Sequence, residues 1–219
     1  MTTHASTAQS TLYGSRGSGS AAIEAALEIC GLPYRSVRAS TWEPDSAQAE
    51  LRDVNPLGQI PTLVLPDGSV MTESAAILIH LGLQARPGLL LPAEASARAQ
   101  SIRGLVFIAA NCYSAISIID YPERWTEATS GKGREQLRAG TRQRLHQHWE
   151  AFADTFAAEP FFNGRTPGAL DLLAAVVSRW SGTRDHVCQH RPAFFAALQR
   201  IESSPPVAAV FARHWDAPA

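Results

Sequence analysis

An acidic and a hydroxyl side chain stand together at the start of a helical run, where they could bind a charged ligand. Glu73 and Ser74 come directly before residues 75–81, whose apolar side chains predict a helix. The first turn of a helix has unpaired N–H groups and a positive dipole end, so it stabilises a ligand carboxylate, to which the Ser74 hydroxyl adds a bond. Glu73 would accept a hydrogen bond from a ligand ammonium. The pair therefore predicts a site for an α-amino acid head group, unless both residues only cap the helix.

A proline stands at the start of a predicted strand just before this helix. Residues 62–65 favour a strand, Asp67-Gly68 favours a tight hairpin turn, and residues 69–71 return as a second strand. Pro61 cannot donate to a sheet ladder, so it belongs at a strand start or an edge. A cis peptide bond costs little only before proline, and here it would turn the Ile60 N–H and C=O outward, toward a ligand's backbone.

Residues 12–85 resemble the thioredoxin-like domain of the cytosolic glutathione transferase superfamily. The resemblance is carried by the order and spacing of the Asn-Pro-x-Gly-x-x-Pro-x-Leu run at residues 55–63 and of the Glu-Ser pair that follows it. It implies that glutathione is bound as a co-substrate, with no metal. The main chain of Ile60 would pair with the cysteinyl backbone of glutathione. The residues implied at this site are Gln59, Ile60, Pro61, Glu73 and Ser74.

The resemblance also implies where the thiol is activated. The reactive form is the thiolate, which the protein favours with a hydroxyl donor or a positive helix end in the loop after the first strand. That loop is residues 14–20, GSRGSGS, and it contains no cysteine. The serine of the serine-type classes aligns with Gly17, and the cysteine of a cysteine-type bacterial class aligns with Gly19. Disulfide exchange through an enzyme thiol is therefore not expected.

Serine hydroxyls are the remaining candidates for thiol activation in this loop. We predict that Ser18 is the donor because it lies between the two aligned positions and begins the helix. The further candidates are Ser15 and Ser20, and Arg16 would offset the charge of the thiolate. The alternative is that the loop is a helix cap and a flexible turn, with only backbone N–H groups facing the sulfur.

A second, electrophilic substrate is expected between the two domains, where pockets commonly form. The candidate residues lie on a long predicted helix at residues 95–119: Phe107, Asn111, Tyr113 and Ser114. Trp180, at the end of another predicted helix, is a further candidate wall of the pocket. The alternative for the polar side chains is hydrogen bonding between helices, and the alternative for Trp180 is a place in the core.

Composition excludes several classes of function. The chain has 219 residues with a net charge of −1, so neither nucleic acid nor an anionic membrane is an evident partner. No uninterrupted run of 18 apolar residues is present, and residues 1–10 lack the apolar stretch of a signal peptide. The three cysteines are widely spaced and odd in number, which argues against a disulfide framework and a zinc site. We expect a cytoplasmic protein.

The order of the predicted elements indicates an α/β domain followed by an all-α domain. Residues 1–10 are expected to be a disordered tail, residues 11–86 the thioredoxin-like glutathione-binding domain, residues 87–94 a linker, and residues 95–219 an all-helical domain. In the helical domain, residues 170–177 are apolar nearly all round, which predicts a buried central helix. Asp171 in its first turn matches a family capping box, although Gly168 stands where the family has Ser or Thr.

The favoured function is conjugation of the glutathione thiolate to small hydrophobic electrophiles, a detoxification chemistry. Glutathione-dependent isomerisation, dehalogenation or ether cleavage are alternatives among enzymes. A further alternative is a non-catalytic binding or regulatory protein that has kept the fold. A homodimer is expected from the resemblance, in which the first domain of one subunit contacts the second domain of the other.

Overall fold

The computed structural model describes residues 9–127 and 130–215. Most of the expected tail, residues 1–8, lies outside the described residues. The first domain consists of β1 (Ser10–Gly14), α1 (Ser20–Cys30), β2 (Tyr34–Arg38), α2 (Gln48–Val54), β3 (Thr62–Val64), β4 (Val70–Met71) and α3 (Ser74–Gln84). The helical domain consists of α4 (Ala95–Phe107), a π-helical segment (Ile108–Tyr113), α5 (Ser114–Asp120), a 3-10 turn (Pro122–Arg124), α6 (Gly131–Thr155), α7 (Ala169–Val177), α8 (Thr183–His190), α9 (Pro192–Ser203) and α10 (Val207–His214).

The four strands form one mixed sheet in the order β2-β1-β3-β4. Strand β1 is parallel to β2, with α1 as the connection, and antiparallel to β3, where Leu12 is opposite Leu63. The β3–β4 hairpin forms the antiparallel edge. The predicted fold class, a thioredoxin-like domain followed by helices, is confirmed. This topology brings the loop before α1 and the loop before β3 to the same end of the sheet.

Helix α1 is the core element of the first domain because it is buried on nearly every side. Its residues 20–27 are all buried, and they are mostly Ala, Ile and Leu. The helix ends at Gly31, whose φ of 63° lies in the left-handed region that glycine tolerates. Burial on both sides follows from contacts with α3 in its own domain and with α7 and α10 in the helical domain.

Helix α7 is the buried centre of the second domain, as its apolar sequence predicts. Asp171 in its first turn accepts backbone N–H groups from Phe162, Asn163 and Gly168 at 2.9 to 3.1 Å. A Cβ atom on Gly168 would lie 2.6 Å from the Leu90 carbonyl oxygen. Ser or Thr would therefore clash here, and close packing explains why glycine begins this helix.

The continuous helix Ala95–Asp120 contains a π-helical segment and is unusually apolar. The segment Ile108–Tyr113 is π-helical, which the sequence did not predict. Among the described residues, this helix is also the one that is long and apolar enough to cross a membrane by length and composition alone. Its buried residues Leu105, Ile108 and Cys112 belong to the hydrophobic core, so part of its apolar character serves packing inside the helical domain.

Polar side chains join α1 to the end of α10 across the two domains. Glu24 of α1 accepts hydrogen bonds from Arg213 Nε at 2.8 Å and pairs with His214 Nε2 at 2.7 Å. Tyr34 of β2 also donates its hydroxyl to Glu24, at 3.1 Å. Although burial raises the pKa of Glu24, the hydrogen bonds from His214 and Arg213 bring it below its ordinary value. The thioredoxin-like domain is thus held to the helical domain by a charged network as well as by apolar packing.

Candidate functional site

The loop before β3 is organised by the buried side chain of Asn55. Its Nδ2 donates to the Gln59 carbonyl and to Thr62 Oγ1, each at 3.0 Å. The Thr62 hydroxyl in turn donates to the Gln59 carbonyl at 2.8 Å. These bonds fix the main chain on both sides of the Ile60–Pro61 peptide bond, which is cis. The Gln59 side chain itself is exposed.

The start of α3 has an unusual backbone conformation. Glu73 has φ 63° and ψ 110°, a region that non-glycine residues rarely occupy and that costs about 1–3 kcal/mol. Strained residues of this kind cluster at binding and active sites. The Glu73 side chain, at the N-cap position, does not cap the helix with a hydrogen bond. The positive end of α3 is therefore available to a ligand carboxylate.

The start of α1 contacts the loop before β3 and the start of α3 at Gly19. A Cβ atom placed on Gly19 would lie 3.3 Å from Ser74 Oγ and 3.5 Å from Pro61 Cδ. The loop before β3, the first turn of α3 and the first turn of α1 thus come together around one point. Pro61 and Ser74 of the predicted set lie at this point, beside Ile60 and Glu73 in the chain, and the binding roles of all four stay predictions.

Tyr113 reaches the same point from the helical domain. Its hydroxyl oxygen lies 2.7 Å from the position of a Gly19 Cβ atom. The Tyr113 ring packs edge-to-face on Trp180, with ring centroids 5.5 Å apart. Burial, with the nearby carboxylates of Glu73 and Asp120, raises the pKa of Tyr113 to about 12. The hydroxyl therefore remains protonated and is a hydrogen-bond donor at neutral pH.

The serine side chains of the loop before α1 bond mainly to one another. Ser18 Oγ donates to the Ser15 carbonyl at 2.7 Å and lies 2.8 Å from Ser20 Oγ. Ser15 Oγ donates to Glu43 at 2.7 Å. All three serines are buried. Thiol activation by Ser18, Ser15 or Ser20 stays a prediction, and these bonds give the serines a role in holding the turn before α1.

The remaining predicted residues make contacts with other parts of the chain. Arg16 Nε donates to the Arg213 carbonyl at 3.0 Å, which ties the loop to the end of α10. Phe107 lies in an aromatic cluster with His148, Phe152 and Phe156. Asn111 donates to the Phe107 carbonyl at 3.1 Å, and it lines a cavity of about 400 Å³ between α5 and α6 with Ser114 and His148. Tyr113 is the second-substrate candidate whose side chain contacts the start of α1, and the electrophile-binding roles of all these residues stay predictions.

Two contributions to the site were not predicted. Asn55 was part of the recognised run but was given no role, although a buried amide beside a turn is a signal for backbone positioning. Contact of Tyr113 with the electrophile stays a prediction, whereas its position against the start of α1 was not predicted. Its place depends on the π-helical segment and on domain packing, which leave no local signal in the sequence.

The chain's sequence is similar to known proteins over most of its length. A family model described as glutathione S-transferase, N-terminal domain, matches residues 20–84. The uncharacterized GST-like protein YncG of Escherichia coli K12 is 32% identical over 170 residues, which are 77% of this chain and 80% of that protein. The glutathione S-transferase GstA of Escherichia coli O157:H7 is 29% identical over 155 residues, 70% of this chain and 73% of the relative.

Solved structures share the fold over nearly the whole chain. A glutathione transferase homolog from Sulfitobacter with bound glutathione superposes with a TM-score of 0.80 at 23% identity, covering 94% of this chain and 98% of that one. A sphingomonad glutathione S-transferase complexed with glutathione superposes with a TM-score of 0.75 at 25% identity. The match covers 94% of this chain and 100% of that one. The fold, the joined segments around Gly19 and the similarity to YncG lead to one conclusion: this chain belongs to the glutathione S-transferase superfamily.

Proposed function

We propose that the chain is a glutathione transferase that joins the glutathione thiolate to small hydrophobic electrophiles. The observation that carries the proposal is the meeting of three segments at Gly19, with the first turns of two helices beside the cis Pro61 loop. Helix N-termini stabilise anions through their N–H groups and dipoles. Glutathione offers such sites a carboxylate and a thiolate on one peptide-like chain.

Each part of glutathione has a proposed partner. The γ-glutamyl carboxylate binds the first turn of α3 and the Ser74 hydroxyl, and Glu73 accepts a hydrogen bond from the ammonium. The cysteinyl backbone pairs with the main chain of Ile60. The sulfur lies near Gly19, at the positive end of α1, with the exposed side chain of Gln59 close by. The electrophile approaches from the helical domain.

A non-catalytic glutathione-binding protein is the second candidate. The observation that favours it is the loop before α1, where both aligned catalytic positions are glycine and the Ser18 hydroxyl donates to the Ser15 carbonyl. Isomerisation, dehalogenation or ether cleavage would use the same bound thiolate, so the glutathione site alone does not distinguish among these reactions. The reaction is decided by the second substrate.

Two measurements test the proposal in order. Calorimetry with glutathione establishes binding, and a reactive aryl halide then reports conjugation through the absorbance of the product. Binding with turnover supports the transferase. Binding without turnover, across aryl halides, epoxides and aryl ethers, supports the binding protein, and absence of binding contradicts both.

We also infer a homodimer in the cytoplasm that takes part in detoxification. The homodimer and the location rest on the family resemblance, and detoxification rests on the chemistry of conjugating reactive electrophiles. Large exposed apolar side chains are compatible with a subunit interface: Trp42 and Leu57 in the first domain, and Val106 in the helical domain.

A further inference from the structure

The hydroxyl of Tyr113 occupies the space that a side chain at residue 19 would use. Gly19 has φ −59° and ψ −17°, a right-handed helical conformation that any residue adopts. Glycine is therefore not required there by the backbone. Space favours glycine instead, because a Cβ atom would lie 2.7 Å from Tyr113 Oη, and the tyrosine side chain would have to shift to admit it.

Tyr113 is held in this position by its own helix and by a neighbouring ring. It is the last residue of the π-helical segment Ile108–Tyr113, where i→i+5 bonding changes the direction of the side chains that follow. Single π-helical turns inside α-helices are frequent at functional sites. The edge-to-face contact with Trp180 also holds the Tyr113 ring in place.

The Tyr113 hydroxyl has an unused donor. Within the described part of the chain, no hydrogen bond joins it to another residue. The hydroxyls of Ser18 and Ser20, by contrast, both point to the Ser15 carbonyl. The raised pKa of Tyr113 keeps its proton in place at neutral pH.

We propose that Tyr113 is a catalytic residue whose O–H donates a hydrogen bond to the glutathione sulfur and so holds it as a thiolate. The inference rests on the proposed glutathione site, and it assigns the thiol donor to the helical domain rather than to the loop before α1. Residues 19 and 113 then form a pair: the missing side chain at Gly19 makes room for the donor from Tyr113.

The chemistry balances without any further reactant. The thiol proton of glutathione passes to solvent, and the sulfur keeps the electron pair of the S–H bond. With an aryl halide, this pair forms the new C–S bond, and the halide leaves with the electrons of the C–halogen bond. Tyr113 keeps its proton throughout. Its hydrogen bond to sulfur weakens once the neutral thioether has formed, which favours release of the product.

The test is the substitution Tyr113→Phe, which removes only the hydroxyl and keeps the ring against Trp180. The pKa of enzyme-bound glutathione is read from the ultraviolet absorbance of the thiolate against pH. A hydrogen bond to a charged group corresponds to about one to two pKa units. We therefore expect the thiol pKa of bound glutathione to rise by that amount in Tyr113→Phe. Turnover of an aryl halide at neutral pH should fall about 10- to 100-fold, while the Kd for glutathione at a pH where the thiol is protonated changes little.

Tyr121→Phe is the matched control because it removes a hydroxyl from the same domain outside the site. Its thiol pKa and turnover should equal those of the wild type, and both variants should unfold at the wild-type temperature. If glutathione binds wild type with a lowered thiol pKa and Tyr113→Phe titrates identically, the role of Tyr113 is overturned and the proposed function stands. If the wild type does not bind glutathione, both proposals are overturned.

Discussion

The Ser74 hydroxyl is the side chain at the start of α3 that we expect to bind the γ-glutamyl carboxylate directly. Ser74→Ala removes a hydrogen bond to a charged group, which should weaken glutathione binding by about 1.5–3 kcal/mol. Calorimetry measures the loss. Ser203→Ala, an exposed serine at the end of α9, is the control and should bind as the wild type does. Unchanged affinity in Ser74→Ala would mean that Ser74 only begins the helix.

Gly19 and Tyr113 should depend on each other energetically. Gly19→Ala places a methyl group against the Tyr113 hydroxyl, and overpacking of this kind costs about 1–3 kcal/mol of folding free energy. The same substitution in a Tyr113→Phe background should cost less, because the nearest atom has been removed. Urea unfolding of the two single variants and the double variant measures the coupling. Equal losses in both backgrounds would show that the two residues do not meet.

The site residues that sequence predicts are those close together along the chain. Ile60, Pro61, Glu73 and Ser74 fall within 15 positions, and their roles depend on a turn, a strand start and a helix start that local rules describe. Tyr113 could not be placed in this way. Its orientation depends on the phase of a π-helical segment, and its partner Gly19 is brought to it only by the packing of two domains.

At the scale of elements, sequence predicts a helix well when the helix has an apolar face. Helix α7 was predicted as the buried centre because its residues are apolar nearly all round. Helix α8 was not predicted, because among its residues only Thr183 and Val187 are buried, and two positions make no apolar stripe. The glycine at residue 168 was likewise unexplained until the fold brought the Leu90 carbonyl beside it.

The contact between α1 and α10 should make stability depend on pH through Glu24. The folded-state pKa of Glu24 lies below its ordinary value of 4.5, so the unfolded chain binds more protons in that range. The stabilisation is complete above pH 4.5 and is lost as the pH falls through the folded-state pKa. Glu24→Gln should therefore lower the free energy of unfolding at neutral pH, by about 1.5–3 kcal/mol, and should lose this acid dependence.

Urea unfolding at a series of pH values checks the role of Glu24. Glu123→Gln, an exposed glutamate in the 3-10 turn, is the control, and its stability should follow the wild-type curve. The prediction is wrong if the Glu24→Gln and wild-type curves run parallel from pH 7 to pH 3. The Gln side chain keeps the shape of Glu, so a difference between the two curves that shrinks as the pH falls reports the charge of Glu24 rather than packing.

At the scale of the whole molecule, we expect two subunits. Light scattering behind a sizing column should give twice the chain mass of 23.6 kDa. The proposed interface joins the first domain of one subunit to the second domain of the other. Trp42→Glu and Val106→Glu therefore probe its two sides, since both side chains are more than half exposed in the single chain. A wild-type mass equal to one chain across a dilution series would contradict the dimer.

The network around Glu24 also sets an order of events during synthesis. Helix α1 emerges early from the ribosome, but the cation and imidazole that pair with its buried carboxylate are encoded 189 and 190 positions later. Domains generally fold from the N-terminus as they are made. The charged network that joins α1 to α10 therefore cannot form until residues 213 and 214 have left the exit tunnel. A ribosome that stalls before them holds a nascent chain in which the Glu24 carboxylate lacks both of these partners.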